Sequence, residues 1–416
     1  MALSQNTWEL TPWYAQDVAG NAGYSGPGDP GALFMWGQAE QGMLGGPHPL
    51  YRSSPTQVGT ETTWTQAYLG RASIGTKADG TLWTWGSGTA YGGNLGLNQS
   101  SNAEKSSPTQ VGTGTDWAAI THCSVLAAAV KTNGTLWAWG RNEFGGLGQN
   151  QQDGSNNYKS SPVQVPGTNW STTTGSIIVG GTGDAAFKAV KTDGTMWCWG
   201  NNYDGQSGQG NQTPYSSPVQ VGTDTTWSAS DGHIGGTGRT NTLAIKTDGT
   251  LWAWGRNSIG ELGQNNKTEY ESPVQIPGTY TYVSKGLNNH DQKSTTFVIK
   301  DDSTLWAIGS MWYGTLGNNY GSASMSLASA KYLSSPVQCG GSSTGWATVS
   351  HGKLGVLASK TDGTLWAWGY GGNGQLGLNQ NLPSGRSSPC QIGTLTNWKI
   401  VSSESYANAA IRMPSS

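Results

Sequence analysis

The stretch Leu243-Ala-Ile-Lys-Thr-Asp-Gly-Thr-Leu-Trp-Ala-Trp-Gly-Arg-Asn-Ser-Ile-Gly-Glu-Leu-Gly263 contains every signal of one repeating unit. Two apolar runs flank Asp248-Gly249, and Asp-Gly between such runs is a strong hairpin signal because Gly accepts a positive φ at little cost. In the second run, Trp252 and Trp254 point to one face of the strand, and the Leu and Ala beside them point to the other. Since both faces are apolar, this sheet must be covered on both sides.

The end of this unit recurs seven times along the 416 residues, at intervals of 49 to 60 residues. A period near 55 residues is typical of one four-stranded propeller blade with long loops. The sequence therefore predicts an all-β fold, a seven-bladed β-propeller of four-stranded antiparallel blades. The seven stations are Trp36-Gly37, Trp85-Gly86, Trp139-Gly140, Trp199-Gly200, Trp254-Gly255, Ile308-Gly309 and Trp368-Gly369.

Three further signals accompany most stations. A turn of the type Asp-Gly or Asn-Gly precedes the tryptophans, and Asp302-Ser303 replaces it in one blade, where we expect local strain or another turn type. A Ser-Ser-Pro motif follows, and its Pro suits the start of an edge strand. A third aromatic comes next. It is a tryptophan in six units, and Tyr280 or Tyr282 takes its place in the unit that has none. The third tryptophans are Trp64, Trp117, Trp170, Trp227, Trp346 and Trp398. We interpret the repeat tryptophans as blade packing.

The two ends of the chain complement each other. The first station has no strand-like run before it, whereas the chain finishes with Ala409-Ala-Ile-Arg-Met413, which aligns with Leu243–Thr247 and then stops. The C-terminal strand is therefore predicted to pair with the N-terminal blade and close the ring, which removes two exposed edges. The predicted organisation is an extended Gly/Pro-rich arm over 1–31, a propeller over 32–413 and a tail over 414–416.

Composition narrows the function classes. Charged residues make up only 11% of the chain, the formal net charge is −2, and no run of basic residues occurs, so we expect no nucleic-acid partner. No stretch of 18 apolar residues occurs, so no membrane insertion is expected. The N-terminus lacks the basic and apolar regions of a secretory signal.

The phrase Trp139-Gly-Arg-Asn-Glu-Phe-Gly-Gly-Leu-Gly148, which returns at Trp254–Gly263 and more loosely at Trp199–Gly208 and Trp368–Gly377, resembles the regulator-of-chromosome-condensation repeat. The resemblance covers about residues 32–413 and implies a seven-bladed propeller. The eukaryotic founder of this family exchanges guanine nucleotide on a small GTPase and binds chromatin, but no basic tail matches here. The unusually uniform, Trp-rich repeats look similar to the bacterial and phage-encoded branch, in which many members are surface or virion proteins.

Motifs that carry chemistry are weak in this chain. Gly341–Gly345 matches G-x-S-x-G, but the third tryptophan of the repeat follows it and no helix is expected, as a nucleophile elbow requires. Gly369–Gly374 matches G-x-G-x-x-G without a βαβ unit. His122, His233, His290 and His351 are expected near the central channel in structural roles. We therefore predict no catalytic residues, no cofactor and no metal.

Two sets of side chains are candidate ligand contacts. One basic residue precedes each hairpin turn, and the set could ring one face and attract an anion, or be neutralised by the Asp or Asn two residues later. Aromatic residues in loops could stack on sugars. The basic ring is Lys77, Lys131, Lys191, Lys246, Lys300, Lys360 and Arg412, and the loop aromatics are Trp312, Tyr313, Tyr91 and Tyr203.

The N-terminal arm differs from the repeats. Its aromatic residues Trp8, Trp13 and Tyr14 sit in a polar, Gly/Pro-rich segment, and aromatic anchors on an extended arm suit docking onto a partner. The favoured hypothesis is a non-enzymatic virion component of a tailed phage, either a capsid decoration or a protein of the tail or baseplate. Other virion proteins would hold it through residues 1–31. The alternatives are an adhesin that binds host-surface glycans and a guanine-nucleotide exchange factor.

Overall fold

The computed structural model describes residues 30–38, 42–46, 51–88, 93–99, 104–123, 125–151, 158–180, 186–236, 240–286, 295–310, 314–317, 332–340, 343–352, 355–379, 382–404 and 407–414. The chain enters with β1 (Ala32–Gln38) and β2 (Tyr51–Gln57). Blade 2 is β3 (Trp64–Tyr68), β4 (Ala72–Lys77), β5 (Leu82–Ser87) and β6 (Glu104–Gln110), and blade 3 is β7 (Trp117–His122), β8 (Leu126–Lys131), β9 (Leu136–Arg141) and β10 (Tyr158–Gln164).

Blade 4 is β11 (Ile177–Gly180), β12 (Ala186–Val190), β13 (Met196–Gly200) and β14 (Tyr215–Gln220). Blade 5 is β15 (Ile234–Gly235), β16 (Asn241–Ile245), β17 (Thr250–Gly255) and β18 (Tyr270–Val283). Blade 6 consists of the end of β18, β20 (Thr295–Lys300), β21 (Leu305–Ser310) and β22 (Tyr332–Gln338). The short strand β19 (Lys285–Gly286) lies between β18 and β20 in the sequence. Blade 7 is β23 (Trp346–His351), β24 (Gly355–Lys360), β25 (Leu365–Gly371) and β26 (Leu382–Gln391), and the chain finishes with β27 (Trp398–Glu404) and β28 (Ala407–Arg412).

The chain folds as an all-β, seven-bladed propeller, as the sequence predicts. Within each blade, successive strands pair antiparallel. The first strand of each blade lines the central channel, and the strand that carries Ser-Ser-Pro or its Glu-Ser-Pro variant forms the outer edge. In blades 4 and 5 this inner strand begins seven residues after the third tryptophan, which forms only an isolated bridge. Tyr280 takes the third-aromatic position in blade 6, since it pairs with Lys300 as Trp64 pairs with Lys77 in blade 2.

Blade 1 closes the ring from both ends of the chain. Its order from the channel outward is β27, β28, β1 and β2, and Ala32 through Gly37 pairs with Arg412 through Ala407 without a shift in register. The predicted closure by the C-terminal strand is confirmed. The chain's end contributes two strands to this blade rather than one, because the channel-lining strand that begins at Trp398 also belongs to it.

Blades 5 and 6 share one long strand. The 14-residue strand β18 is the outer strand of blade 5 and then continues as the inner strand of blade 6. Beyond it, Lys285 bridges in parallel to Gly236 of blade 5 and to Ser350 of blade 7. These bridges connect three inner strands to one another, so this arc of the channel wall is held by backbone hydrogen bonds as well as by side chains.

The proline of Ser-Ser-Pro lies within the outer strand, not at its start as predicted from the sequence. Arg52 pairs with Gly37 and Thr56 with Met35, so the three residues 53–55 oppose the single residue Trp36. The same bulge recurs in other blades. Because the ladder is already interrupted at the bulge of an edge strand, a residue without an N–H group is tolerated there.

The second tryptophan of a blade fastens it to the preceding blade. Trp254 is fully buried, and its Nε1–H donates to the carbonyl of Gln206 at 3.0 Å. Blade 6 carries Ile308 at this position, which fills the space but has no N–H to donate. The predicted role of these tryptophans in blade packing is confirmed. The same bond joins Trp36 to Gln375, Trp85 to Met43, Trp139 to Asn94, Trp199 to Gly146 and Trp368 to Thr315.

Left-handed residues at the hairpin turns allow a close backbone approach. Ser303, which replaces Gly in one turn, has a φ of 59°, so the expected local strain is confirmed. At Gly194, where φ is 77°, an added Cβ would lie 2.0 Å from the carbonyl oxygen of Thr225. At Gly222 φ is also positive, at 58°, but nothing lies within 4 Å of such a Cβ.

Gly194→Ala should therefore destabilise the propeller more than Gly222→Ala. Each change places an alanine at positive φ, which costs about 1–2 kcal/mol. Only Gly194→Ala adds a backbone clash, which we expect to cost a further ~2–3 kcal/mol. Urea unfolding of the two variants measures the difference, and equal losses would mean that the two turns relax alike.

Candidate functional site

The two ends of the propeller differ in chemistry. We call the end with the hairpin turns, from Asp79-Gly80 round to Asp362-Gly363, the turn face. The loop face is the opposite end, formed by the residues that follow each Trp-Gly or Ile-Gly station. Gly31 lies on the turn face, because its N–H donates to the carbonyl of Trp64 at 2.8 Å and its carbonyl accepts from Trp64 N at 3.1 Å.

Six of the predicted basic residues lie on the turn face, each beside two aromatic rings. The Nζ of Lys77 is 3.6 Å from the centroid of Trp83 and 5.0 Å from that of Trp64. Ammonium groups over indole faces are attracted by the ring quadrupole. The structure places one such stack in each of blades 2–7, at Lys77, Lys131, Lys191, Lys246, Lys300 and Lys360.

Several of these cations also have an acidic or polar partner. Lys131 lies 3.1 Å from Asp116, and Lys77 and Lys246 form ion pairs with Glu61 and Asp224. Hydrogen bonds from Lys246 and then Thr226 lower the pKa of Asp224 to about 2. Lys360 donates to Ser343, and Arg412 of blade 1 donates to Asn397 at 3.0 Å. The carboxylates in these pairs precede the inner strand, whereas the sequence suggested those of the hairpin turns.

The turn carboxylates organise the hairpins instead. Asp79 Oδ1 accepts from the backbone N–H and the hydroxyl of Thr81, at 3.0 and 2.6 Å, and these two bonds lower the pKa of Asp79. The Thr81 hydroxyl in turn accepts from Trp83 Nε1 at 2.7 Å. These linked hydrogen bonds orient the indole of Trp83, on which Lys77 stacks. The turn, the aromatic ring and the cation therefore form one unit.

The central channel contains a charged cluster that sequence reasoning missed. Lys285 Nζ donates to Tyr68 Oη at 2.9 Å, across the channel in blade 2, and to Asp231 Oδ1 of blade 5 at 3.4 Å. Burial lowers the pKa of Lys285, but Tyr68 and Asp231 raise it more, so it lies above its ordinary value. The cluster connects three blades across a cavity of about 780 Å³, which includes space open to solvent.

A signal for this cluster exists in the repeat. Counted from the third aromatic, Lys285 occupies the same inner-strand position as His122 and His351. Each of these histidines packs against a glycine of the preceding blade, since a Cβ on Gly70 or Gly286 would meet the imidazole ring at 2.3 or 2.2 Å. Burial lowers the pKa of His122 to about 3 and of His351 to about 4. Both imidazoles are therefore neutral at pH 7, as expected of structural histidines.

Of the loop aromatics, the structure describes Tyr203, on the loop face. It is 58% exposed, and its ring meets Phe144 of blade 3 edge-to-face at 5.5 Å between centroids. Sugar stacking there stays a prediction. Trp312, Tyr313 and Tyr91, the arm residues Trp8, Trp13 and Tyr14, and His290 lie outside the described residues.

The described residues contain neither a cluster of metal ligands nor a membrane-spanning helix. No group of three or more His, Cys, Asp or Glu side chains in the described part of the chain could hold a metal ion. Across the same ranges, no helix has the length and apolar character needed to span a bilayer.

Comparisons with known proteins agree with this architecture. The family model described as regulator of chromosome condensation (RCC1) repeat matches residues 133–175, 248–286 and 362–405, and a second model of the same repeat matches 187–206. The mitochondrial RCC1 domain-containing protein RUG3 of Arabidopsis thaliana is 25% identical over 406 residues, which cover 88% of this chain and 83% of that protein. The RCC2 homolog of Danio rerio is 30% identical over 148 residues, only 28% of its length.

Solved structures share the whole ring. Prp20p from Saccharomyces cerevisiae superposes with a TM-score of 0.73 at 18% identity, covering 93% of this chain and 92% of that one. Human WBSCR16 also gives 0.73, at 16% identity, covering 92% and 98%. A bacterial or phage branch stays a prediction. The repeats that the two models match place the chain in the RCC1-like repeat family, and the solved propellers share its fold.

Proposed function

We propose that this chain is a non-enzymatic interaction protein built into a larger assembly, and that the assembly is a tailed-phage virion. The observation that carries the proposal is the anchored entry of the chain on the turn face. Because Gly31 is bonded to Trp64 in both directions, the segment before it starts from a fixed point on a closed ring. An arm with Trp8, Trp13 and Tyr14 that starts from a rigid body suits docking into a neighbouring subunit.

The relatives support protein binding as the general role. Prp20p is described with binding properties to Gsp1p and histones, and yeast RCC1 (Prp20) has been solved bound to Kap60. These are partners of those proteins, and we transfer only the use of the propeller as a protein-binding body. The weakly charged, Gly-rich composition supports a virion protein, with capsid or tail subunits as the partners.

Deleting residues 1–31 should leave a folded propeller that no longer joins its assembly. The deletion ends before β1, whose pairing with β28 would remain. Sedimentation of the source lysate followed by mass spectrometry is the measurement. We expect the full chain in a megadalton fraction with capsid or tail proteins, and the deleted chain near the mass of a free monomer.

A full-length variant distinguishes the loss of the docking side chains from the loss of the whole arm. Trp8→Ala/Trp13→Ala/Tyr14→Ala keeps the arm's length and should also fail to enter the particle. If the full chain sediments alone, the assembly role is wrong. If the deleted chain still enters the particle, the arm is not the attachment site.

A further inference from the structure

The outer strands present one residue per blade at a structurally equivalent rim position. This position pairs with the Gly of the Trp-Gly or Ile-Gly station and precedes the bulge, as Arg52 does opposite Gly37. It therefore lies at the outer edge of the loop face in every blade. From blade 1 to blade 7 the rim positions are Arg52, Lys105, Lys159, Tyr215, Tyr270, Leu333 and Arg386.

The basic rim residues are contiguous once the ring is closed. Blade 7 adjoins blade 1, so Arg386, Arg52, Lys105 and Lys159 occupy four consecutive blades, and the other three blades have uncharged residues. We call these four residues the basic arc. Lys159 and Arg386 are exposed, and Lys105 and Arg52 are half-buried. Charge is thus concentrated on one side of a chain whose formal net charge is −2.

The arc differs from the lysines of the turn face in how its charge is used. Lys77 and Lys246 stack on indoles and pair with carboxylates. Within the described residues, no ion pair or ring stack involves Lys105, Lys159 or Arg386. No described carboxylate therefore offsets their positive charge.

The backbone beneath the arc is fixed by the neighbouring blade. A Cβ on Gly93 of blade 2 would lie 2.6 Å from the carbonyl oxygen of Lys159, and one on Gly374 of blade 7 would lie 2.7 Å from that of Arg52. Next to the latter contact, Asn379 N donates to the carbonyl of Ser53 at 2.7 Å. Fixed anchors reduce the ordering that binding requires.

We propose that the basic arc is a docking surface for a protein partner with an acidic surface. The proposal rests on the proposed interaction function and adds a second contact region, on the face opposite Gly31, the residue that ends the arm. Exposed Tyr51 adjoins Arg52, and exposed Tyr158 adjoins Lys159. Tyrosine and arginine are both enriched at protein interfaces. Exposed Glu104 adjoins Lys105 within the arc, which disfavours a continuous phosphate backbone.

Binding of a fluorescent oligoglutamate peptide to the full chain tests the arc. We expect Lys105→Glu/Lys159→Glu to weaken binding at least about tenfold. The matched control, Arg71→Glu/Lys267→Glu, changes the same charge at exposed residues outside the arc and should weaken it less than about twofold. Equal weakening by both variants, or no binding by the native chain, would overturn the proposal, as would tighter binding of a DNA duplex than of the peptide.

Zero-length cross-linking of the native assembly locates the contact. It should join Lys105 or Lys159 to carboxylates of another protein, and cross-links confined to this chain or to the arm would contradict the proposal. The peptide assay is independent of assembly. A chain lacking residues 1–31 should bind the peptide unchanged, so failure of the arm and failure of the arc give different results.

Discussion

Acidification should destabilise the propeller through His122, and His122→Leu should remove that part of the pH dependence. Both ring nitrogens of His122 are buried without a hydrogen-bond partner among the described residues, and burial lowers its pKa from 6.5 to about 3. Below pH 6.5 the His122 imidazole is therefore protonated in the unfolded chain but stays neutral in the native protein. The free energy of unfolding consequently falls as the pH falls. The loss should reach about 3 kcal/mol at pH 4.5 and about 4 kcal/mol near pH 3, where the native histidine itself becomes half protonated.

Another blade shows that leucine is tolerated at the position of His122. Blade 2 has Leu69 at the position equivalent to His122, and that leucine is buried. The free energy of unfolding, measured by denaturant at about pH 7.5, 5.5 and 4.5, should depend less on pH in His122→Leu than in the native protein. His233→Gln is the comparison, with a smaller expected effect because His233 is only half-buried. A native pH slope in His122→Leu would contradict this prediction.

Glu261→Gln should stabilise the protein at high pH and have little effect at low pH. Glu261 is buried in the loop of blade 5, where its Oε2 accepts from Ile259 N at 2.8 Å, and burial raises its pKa from 4.5 to about 7. Between these pH values the native protein binds the proton more tightly than the unfolded chain, so stability falls as pH rises. The ionised group costs about 3 kcal/mol above pH 7.

Other blades already contain the replacement. Gln206 and Gln375 stand at the equivalent position, and each Oε1 accepts the equivalent backbone N–H at 2.9 Å. Glu261→Gln should therefore keep the hydrogen bond without the charge. The reciprocal control is Gln206→Glu, which should lower stability above pH 7 by a similar amount. Equal stability of Glu261→Gln and the native protein at about pH 8 would show that the carboxylate is solvated.

The sequence predicts the ring well because the residues that pack the blades recur at equivalent positions in the seven repeats. The tryptophan pairs, the hairpin turns and the matching ends each follow from local pattern, and the structure confirms them. The position of Pro55 does not follow, because Ser-Ser-Pro contains no sign that three residues oppose one on the neighbouring strand.

The candidate site residues are harder to predict, because their positions depend on ring closure and on blade 6, which has no third tryptophan. The basic arc needs blade 7 placed beside blade 1, which makes Arg386 a neighbour of Arg52. Lys285 could be aligned with His122 only after Tyr280, rather than Tyr282, was established as the third aromatic. Its bond to Tyr68 crosses the channel, and no repeat pattern encodes such a contact.

The shared blade 1 also orders events during synthesis. β1 and β2 are made before the other strands of the ring, but the partner of β1 is β28, which is made after them. At roughly 5–20 residues per second, tens of seconds separate Gln38 from Ala407. During that interval the apolar strand around Trp36 has an unpaired edge while blades 2 to 7 form. Ring closure by β28 is thus the step that removes this exposed strand edge.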